Sequence, residues 1–322
     1  MVNNACRLAA AIALAGSMPA VLGQAFPAKP VRVIVGFAPG GVVDTPARIV
    51  ATKLGEVWAS GVIVENRPGA GGSTAAGYAA KAPPDGYTLL ICNTASHGVN
   101  PAIYKQLAYD PVKDYAAVSQ IGFVPNMLVV HPSVEAKSMR ELAAYAKSNP
   151  GKLSMASAGV GTSQHMSIEL LKSMTGIDIT HVPYKGGAPA LSDLLGGQIP
   201  SLLTGMPAGL GAVRSGRVRA LGVTSAKRSP HLPDVPAIAE TVPGYEVTSW
   251  VGVCAPSGVP KAIVAKLNFD IVKVLGLPDT RQKLDEQGFE AAPNTPEQFT
   301  AFIAAEIVKW AGVVKAAGIQ PE

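Results

Sequence analysis

Two stretches of the chain combine bare backbone with small polar side chains in a pattern suited to holding an anion. The first is VRVIVGFAPGGVVDTPARIVATKL, residues 31–54. Its apolar run, 31–37, reads as a buried strand. Pro39-Gly40-Gly41 ends the strand, Asp44 or Thr45 offers an N-cap, Pro46 suits a first helical turn, and 47–54 continues as helix. A glycine-lined loop thus meets a helix N-terminus, where unpaired N–H groups and the helix dipole favour negative charge. The second stretch, SMASAGVGTSQHMSIELL at 154–171, repeats the unit around Gly159, Gly161, Thr162 and Ser163. Neither 37–44 nor 157–165 contains Lys or Arg. An anion there would be held by backbone donors and hydroxyls. One such loop in each half of the chain predicts a ligand held between two lobes.

Other neutral donors fall at predicted strand ends: Thr94, Ser96, Ser157, Tyr184 and Thr204. Each alone is ordinarily a cap or turn residue, but they share one position in the repeating unit. With Phe37, Gly40, Gly41, Asp44, Gly161, Thr162, Ser163 and His165 they make up the candidate ligand-binding set. Asp44 has no second acid beside it and reads more simply as an N-cap than as a general base. His165, one turn into its helix, reads as a capping or core residue as readily as a ligand contact. No catalytic constellation is visible: the five histidines form no HExxH motif, and no Gly-x-Ser-x-Gly elbow occurs. Gly40-Gly41 lacks the Gly-Lys-Ser/Thr of a phosphate loop, and 69–74 (GAGGST) lacks the last glycine of a dinucleotide fingerprint, so it reads as a tight turn. No metal and no cofactor is expected.

The elements that must position these residues alternate. Strands are predicted at 61–65, 87–92, 152–156, 179–183, 199–203 and 218–223, with helices at 73–82, 138–148, 162–174 and 189–195. Such alternation implies an α/β fold with parallel sheets covered by helices. Ligands bind such sheets beyond the carboxyl ends of the strands. Apolar runs at 116–123 and 127–131, split by Val124-Pro125-Asn126, look like a crossing between lobes. The run 245–255 is long enough to cross back, and amphipathic helices at 260–275 and 295–317 then close the first lobe. The expected division is 26–125 plus 248–322 for one lobe and 126–247 for the other, with two crossings forming a hinge.

The chain has 322 residues, 48% of them hydrophobic, and a formal charge of +5. Its basic residues are scattered, with no stripe or aromatic-basic module for nucleic acid. Arg7 followed by the apolar run 8–18 and small residues predicts a signal peptide over 1–25, cleaved near 23–25. No later run is long enough to span a bilayer, so a periplasmic protein is expected. Cys6 would leave with the signal. Cys92 and Cys254 each end an apolar run; an exported compartment permits a disulfide, but both read as ordinary core positions, and two buried free thiols are expected.

The phrases IVGFAPGGVVDTPAR, VENRPGAGG, PPDGYTLL, HVPYKGGAPALSDLLGGQ, VTSAKRSPHLPDVPAIAET and PGYEVTSWVGVCAPSGVP resemble the Bug family. These are extracytoplasmic solute receptors of tripartite tricarboxylate transporters, and the resemblance spans 26–319. It implies a type II periplasmic binding fold and a small organic carboxylate closed between the lobes. It also implies a pair of membrane subunits, one large and one small, as partners, and a monomeric receptor. On this chain the gripping loops would be 37–44 and 157–165, with 180–185 and 203–207 lining a distal pocket. Many relatives resemble FDNLPS where this chain has Leu203-Thr204-Gly205-Met206-Pro207. Thr204 thus stands in place of an Asp, and di- or tricarboxylates or aromatic acids are expected over amino acids. A periplasmic sensor for a two-component system, and a secreted hydrolase or isomerase of small acids, are the alternative readings.

Overall fold

The computed structural model describes residues 26–321; the expected signal segment 1–25, Cys6 included, lies outside the described residues. Strand β1 (Val31–Val35) leads to α1 (Asp44–Trp58), β2 (Val62–Asn66), α2 (Ser73–Ala79) and β3 (Thr88–Asn93). β1 pairs in parallel with both β2 and β3, as helix-linked apolar strands do. A π-helical turn, Ala95–Val99, and the short α3 (Asn100–Ile103) follow. β4 (Tyr115–Val130) is one unbroken strand. Pro125 falls where β4 exchanges one set of neighbours for another, a place where its missing N–H is tolerated.

The second half is α4 (Met139–Ser148), β5 (Ser154–Ser157), α5 (Ser163–Thr175), β6 (Thr180–Pro183), α6 (Gly187–Leu195), β7 (Ser201–Gly205), α7 (Met206–Arg214) and β8 (Arg219–Val223). The chain returns through β9 (Thr248–Pro256) and ends with α8 (Lys261–Leu275), α9 (Pro278–Glu286), β10 (Glu290–Ala291) and α10 (Pro296–Ala316). Local sequence sets several ends. Ser138 accepts from the Glu141 N–H at 3.2 Å to start α4, and Thr295 with Gln298 forms a capping box on α10.

The strands run β2-β1-β3-β9-β4-β7-β5-β6, with β8 and β10 pairing with β4 off this path. β9 is antiparallel to both β3 and β4. Beyond Pro125, β4 lies instead between β7 and β8. One strand therefore serves both halves, which gives the two-lobe α/β architecture its crossing. A core of Val33, Leu89, Val253 and Leu267 is continuous with Met127, Leu202 and Met206 across it. A separate core of Leu128, Leu142, Met155, Leu171 and Tyr245 fills the second half.

Cys92 and Cys254 are not free thiols: they form a disulfide, with Cα atoms 5.9 Å apart, inside the usual range. Cys92 pairs with Gly252 and Leu90 with Cys254. The two cysteines are diagonal neighbours on one face of adjacent strands. Each apolar run alone suggests only a core position; the return of β9 beside β3 is what brings them together. Among the described residues no helix is long and apolar enough to cross a membrane.

Candidate ligand-binding site

The strand-to-helix loops of both halves meet around a narrow cavity of about 30 Å³. Its walls come from the loop between β1 and α1 (Phe37, Gly41, Val42, Val43), the end of β3 (Asn93, Thr94), the start of α5 (Ala158, Thr162, Ser163, Gln164), the turn before α6 (Gly186, Gly187), the end of β7 (Thr204, Gly205) and β9 (Ser249, Trp250). No charged side chain lines it. What it has instead is helix N-termini. α1, α5, α6 and α7 all begin at this cavity, and only α5 has a side-chain cap. Uncapped helix starts leave N–H groups free, apart from the Thr45 N–H of α1, which donates to Gly41 O at 3.0 Å, and the helix dipoles add a positive potential. The arrangement is chemically selective for an anion without a counter-charge.

The polar walls are braced. Thr94 Oγ1 accepts from the Trp250 N–H at 2.8 Å, and Asn93 Oδ1 accepts from the Ala95 N–H at 2.9 Å. Ser163 and Ser249 share a short hydroxyl hydrogen bond. Asn126, at the crossing in β4, ties them together: its Oδ1 accepts from Gln164 Nε2 at 2.7 Å and from Ser249 Oγ at 3.2 Å. Sequence reasoning placed Asn126 at the crossing without seeing this role, which depends on three elements distant in sequence. Asn93 and Gln164 fall in segments expected at the site without being singled out, and Ser249 was not expected there. Thr162 caps α5, accepting from the His165 N–H at 3.2 Å while donating to Gly159 O at 2.6 Å.

Thr204 is different. It is fully buried, and its Oγ1 has no hydrogen-bond partner. Its methyl is turned toward Gly209 and its hydroxyl toward Gly187, at the uncapped start of α6. A buried hydroxyl left unpaired costs about 1–3 kcal/mol, so its place at the cavity calls for a polar partner there.

Six of the thirteen sequence candidates line the cavity: Phe37, Gly41, Thr94, Thr162, Ser163 and Thr204. The other seven do not, for physical reasons the structure supplies. Asp44 lies in the first turn of α1 and is not its N-cap; its buried carboxylate accepts from the Gly40 N–H (2.9 Å), Arg48 Nε (2.9 Å) and Asn66 Nδ2 (2.7 Å). Asp44 and Gly40 thus shape the loop from behind. Ser96 turns inward to His97 Nδ1 at 3.0 Å. Tyr184 donates its hydroxyl to Asp193 at 2.6 Å and lines a neighbouring groove with 69–72 and Lys185.

Ser157, Gly161 and His165 form a scaffold under the second loop. Ser157 Oγ is 2.6 Å from His181 Nε2, and His165 Nδ1 accepts from the Gly161 N–H at 3.2 Å. The two imidazoles stack with centroids 4.3 Å apart. Burial, helped by nearby Lys172, pushes His165 down to about 4, and burial with His165 beside it pushes His181 to about 4. Both rings are therefore neutral at pH 7. Among the described residues no group of His, Cys, Asp and Glu could hold a metal.

A two-lobed α/β protein with its cleft at the crossing is a periplasmic-type solute-binding protein, and comparisons define the kind. The chain belongs to the tripartite tricarboxylate transporter receptor family, whose profile matches residues 46–319. It is similar to the protein BugT of Bordetella pertussis, 38% identical over 95% of each chain. Among solved structures it resembles the R. palustris protein Rpa4515 with adipate, 40% identical with a TM-score of 0.90 over 92% of this chain and 100% of that one. It also resembles MatC from Rhodopseudomonas palustris with bound malate, 35% identical with a TM-score of 0.85 over 90% of this chain and 100% of that one. The family is one of receptors rather than enzymes.

Proposed function

We propose that this protein is an exported receptor that captures a small dicarboxylate between its two halves and presents it to a transporter. The observation that carries the reading is the uncharged cavity ringed by four helix N-termini, with the Thr204 hydroxyl unpaired beside it. One carboxylate is held where α1 and α5 begin, by backbone N–H groups and the hydroxyl of Thr94, while Thr162 and Ser163, whose protons go to Gly159 O and Ser249 Oγ, hold the loop in place. The distal carboxylate meets Thr204 and the starts of α6 and α7. Relatives carrying adipate and malate support this ligand class. Residues 26–125 with 248–322 move as one lobe and 126–247 as the other. The protein acts as a monomer, binds without chemical change, and works in the periplasm after loss of 1–25.

The test is calorimetric titration with adipate and malate beside their diamides. The diacids are expected to bind and the diamides to bind at least tenfold more weakly, since charge-assisted hydrogen bonds are worth about 1.5–3 kcal/mol each. Equal affinity for acid and amide would overturn the anion argument. Turnover of any acid or ester in the same samples would overturn the receptor reading in favour of an enzyme. N-terminal sequencing of periplasmic material is expected to begin near Gln24 or Phe26.

A further inference from the structure

The geometry points to Val42 and Gly205 as a knob and notch that latch the two halves together over the cavity. The inference rests on the receptor reading only in taking closure as the step that traps ligand.

Val42 lies on the loop between β1 and α1; Gly205 ends β7 and precedes α7. The two belong to opposite halves. A Cβ built on Gly205 would fall deep inside the contact distance of Val42 Cγ2, while Val42 Cβ is 3.4 Å from the same point. Carbon atoms pack at about 3.5–4.0 Å, so one methyl of Val42 occupies the space that any side chain at 205 would need. The backbone does not demand glycine: Gly205 has φ −74° and ψ 154°, an extended conformation open to every L residue. The need for glycine at 205 is steric, and the steric partner is across the cleft.

The neighbouring contacts lie along the same line. The Ala38 N–H donates to Lys185 O at 3.2 Å, joining the halves. A Cβ on Gly186 would lie 3.1 Å from Ala38 Cβ, and one on Gly41 would lie 3.9 Å from Gly187 N. The loop from β1 therefore lies flat against the starts of α6 and α7, with glycines on both sides. At the other end of the cavity, Gly161 leaves no room for a side chain beside Asn100 and Ile103 of the opposite half. There φ is +77°, so a substitution would mix strain with wedging. Val42 and Gly205 offer the clean test.

The experiment measures closure directly. Spin labels are placed on cysteines at exposed Ala70 and Lys185, which line opposite walls of the groove at the cleft mouth. Cys92 and Cys254 are paired and do not compete for label. Distances are read with and without adipate in wild type, Gly205→Ala, Val42→Ala with Gly205→Ala, and Gly211→Ala. Gly211 has nothing within 4 Å of its Cβ position and reports a harmless alanine in α7, the helix that Gly205 precedes. Gly205→Ala is expected to lose the short-distance population and to bind adipate at least tenfold more weakly. Adding Val42→Ala restores both, because the two Cβ atoms then meet at an ordinary 3.4 Å. Gly211→Ala behaves as wild type. The latch is overturned if wild type lacks the short-distance population, if Gly205→Ala retains it, or if Val42→Ala fails to restore it. Failure of adipate to bind bears on the receptor reading instead, since the ligand-free distances still report the latch. A thermal melt of each variant checks that Gly205→Ala is folded, so that a lost short-distance population reports closure rather than loss of the fold.

Discussion

Thr204→Val separates the stability of the empty protein from its affinity for ligand. Valine has nearly the shape of threonine and removes only the hydroxyl. That hydroxyl is buried and unpaired, so without ligand its loss relieves a desolvation cost of about 1–3 kcal/mol. Near the melting temperature a chain of this length gains about 1.5 °C per kcal/mol. The ligand-free variant is expected to melt about 2–5 °C higher than wild type. With ligand the sign reverses. A hydrogen bond to a charged carboxylate is worth about 1.5–3 kcal/mol, so affinity for adipate or malate falls about 10- to 150-fold. Circular-dichroism melts without ligand and titration calorimetry with it give the two numbers. A variant that melts below wild type, or binds a dicarboxylate with unchanged affinity, refutes the argument. Thr204→Asp adds a negative charge at the same point. It is expected to weaken dicarboxylates more than monocarboxylates.

Acid should weaken the fold before any carboxylate titrates. Burial holds His97 at about 3 and His165 and His181 at about 4, below the ordinary value of 6.5, so the unfolded chain takes up protons first. Stability is full above about pH 6.5 and falls as pH drops toward 4; melts across this range check it, and His181→Gln should flatten the fall. Cys92→Ala with Cys254→Ala is expected to cost about 2–5 kcal/mol, seen as a lower denaturation midpoint, and a denatured mature wild-type chain should show no free thiol. Glu306 Oε2 accepts from the indole N–H groups of both Trp250 and Trp310 at 2.8 Å. Glu306→Leu leaves two buried donors unpaired, at about 1–3 kcal/mol each, and Trp fluorescence and melting should both shift.

Much of the fold could be read from local pattern. Val31–Val35, Thr88–Asn93 and Ser201–Gly205 are apolar runs bounded by glycine or polar residues, and the caps at Ser138, Thr162 and Thr295 mark helix starts. α7 and α9 were not legible. α7 opens with Met206-Pro207 and contains Gly209 and Gly211, and α9 is charged, with only Thr280 and Leu284 buried. Long-range pairing was hidden for the same reason: nothing near Cys92 names Cys254. The site was half visible. Glycine loops announced where it would be, but not which polar groups face inward. Asp44 looks like a ligand contact until Arg48 and Asn66 are seen to occupy it. Asn126 looks like no more than part of a crossing until Gln164 and Ser249 arrive.

The place of β9 also fixes the order in which the molecule can be assembled. β3 and β4 are neighbours in sequence but are separated by the width of one strand, and that strand is not made until residue 256. A growing or threading chain that has delivered its first 247 residues holds an incomplete first sheet with two open strand edges. Two of the helices that cover this sheet, α8 and α10, come later still. Completion of the first sheet is therefore non-local, and the Cys92–Cys254 link spans 162 residues. The first sheet of such a chain closes only once its C-terminal part is present.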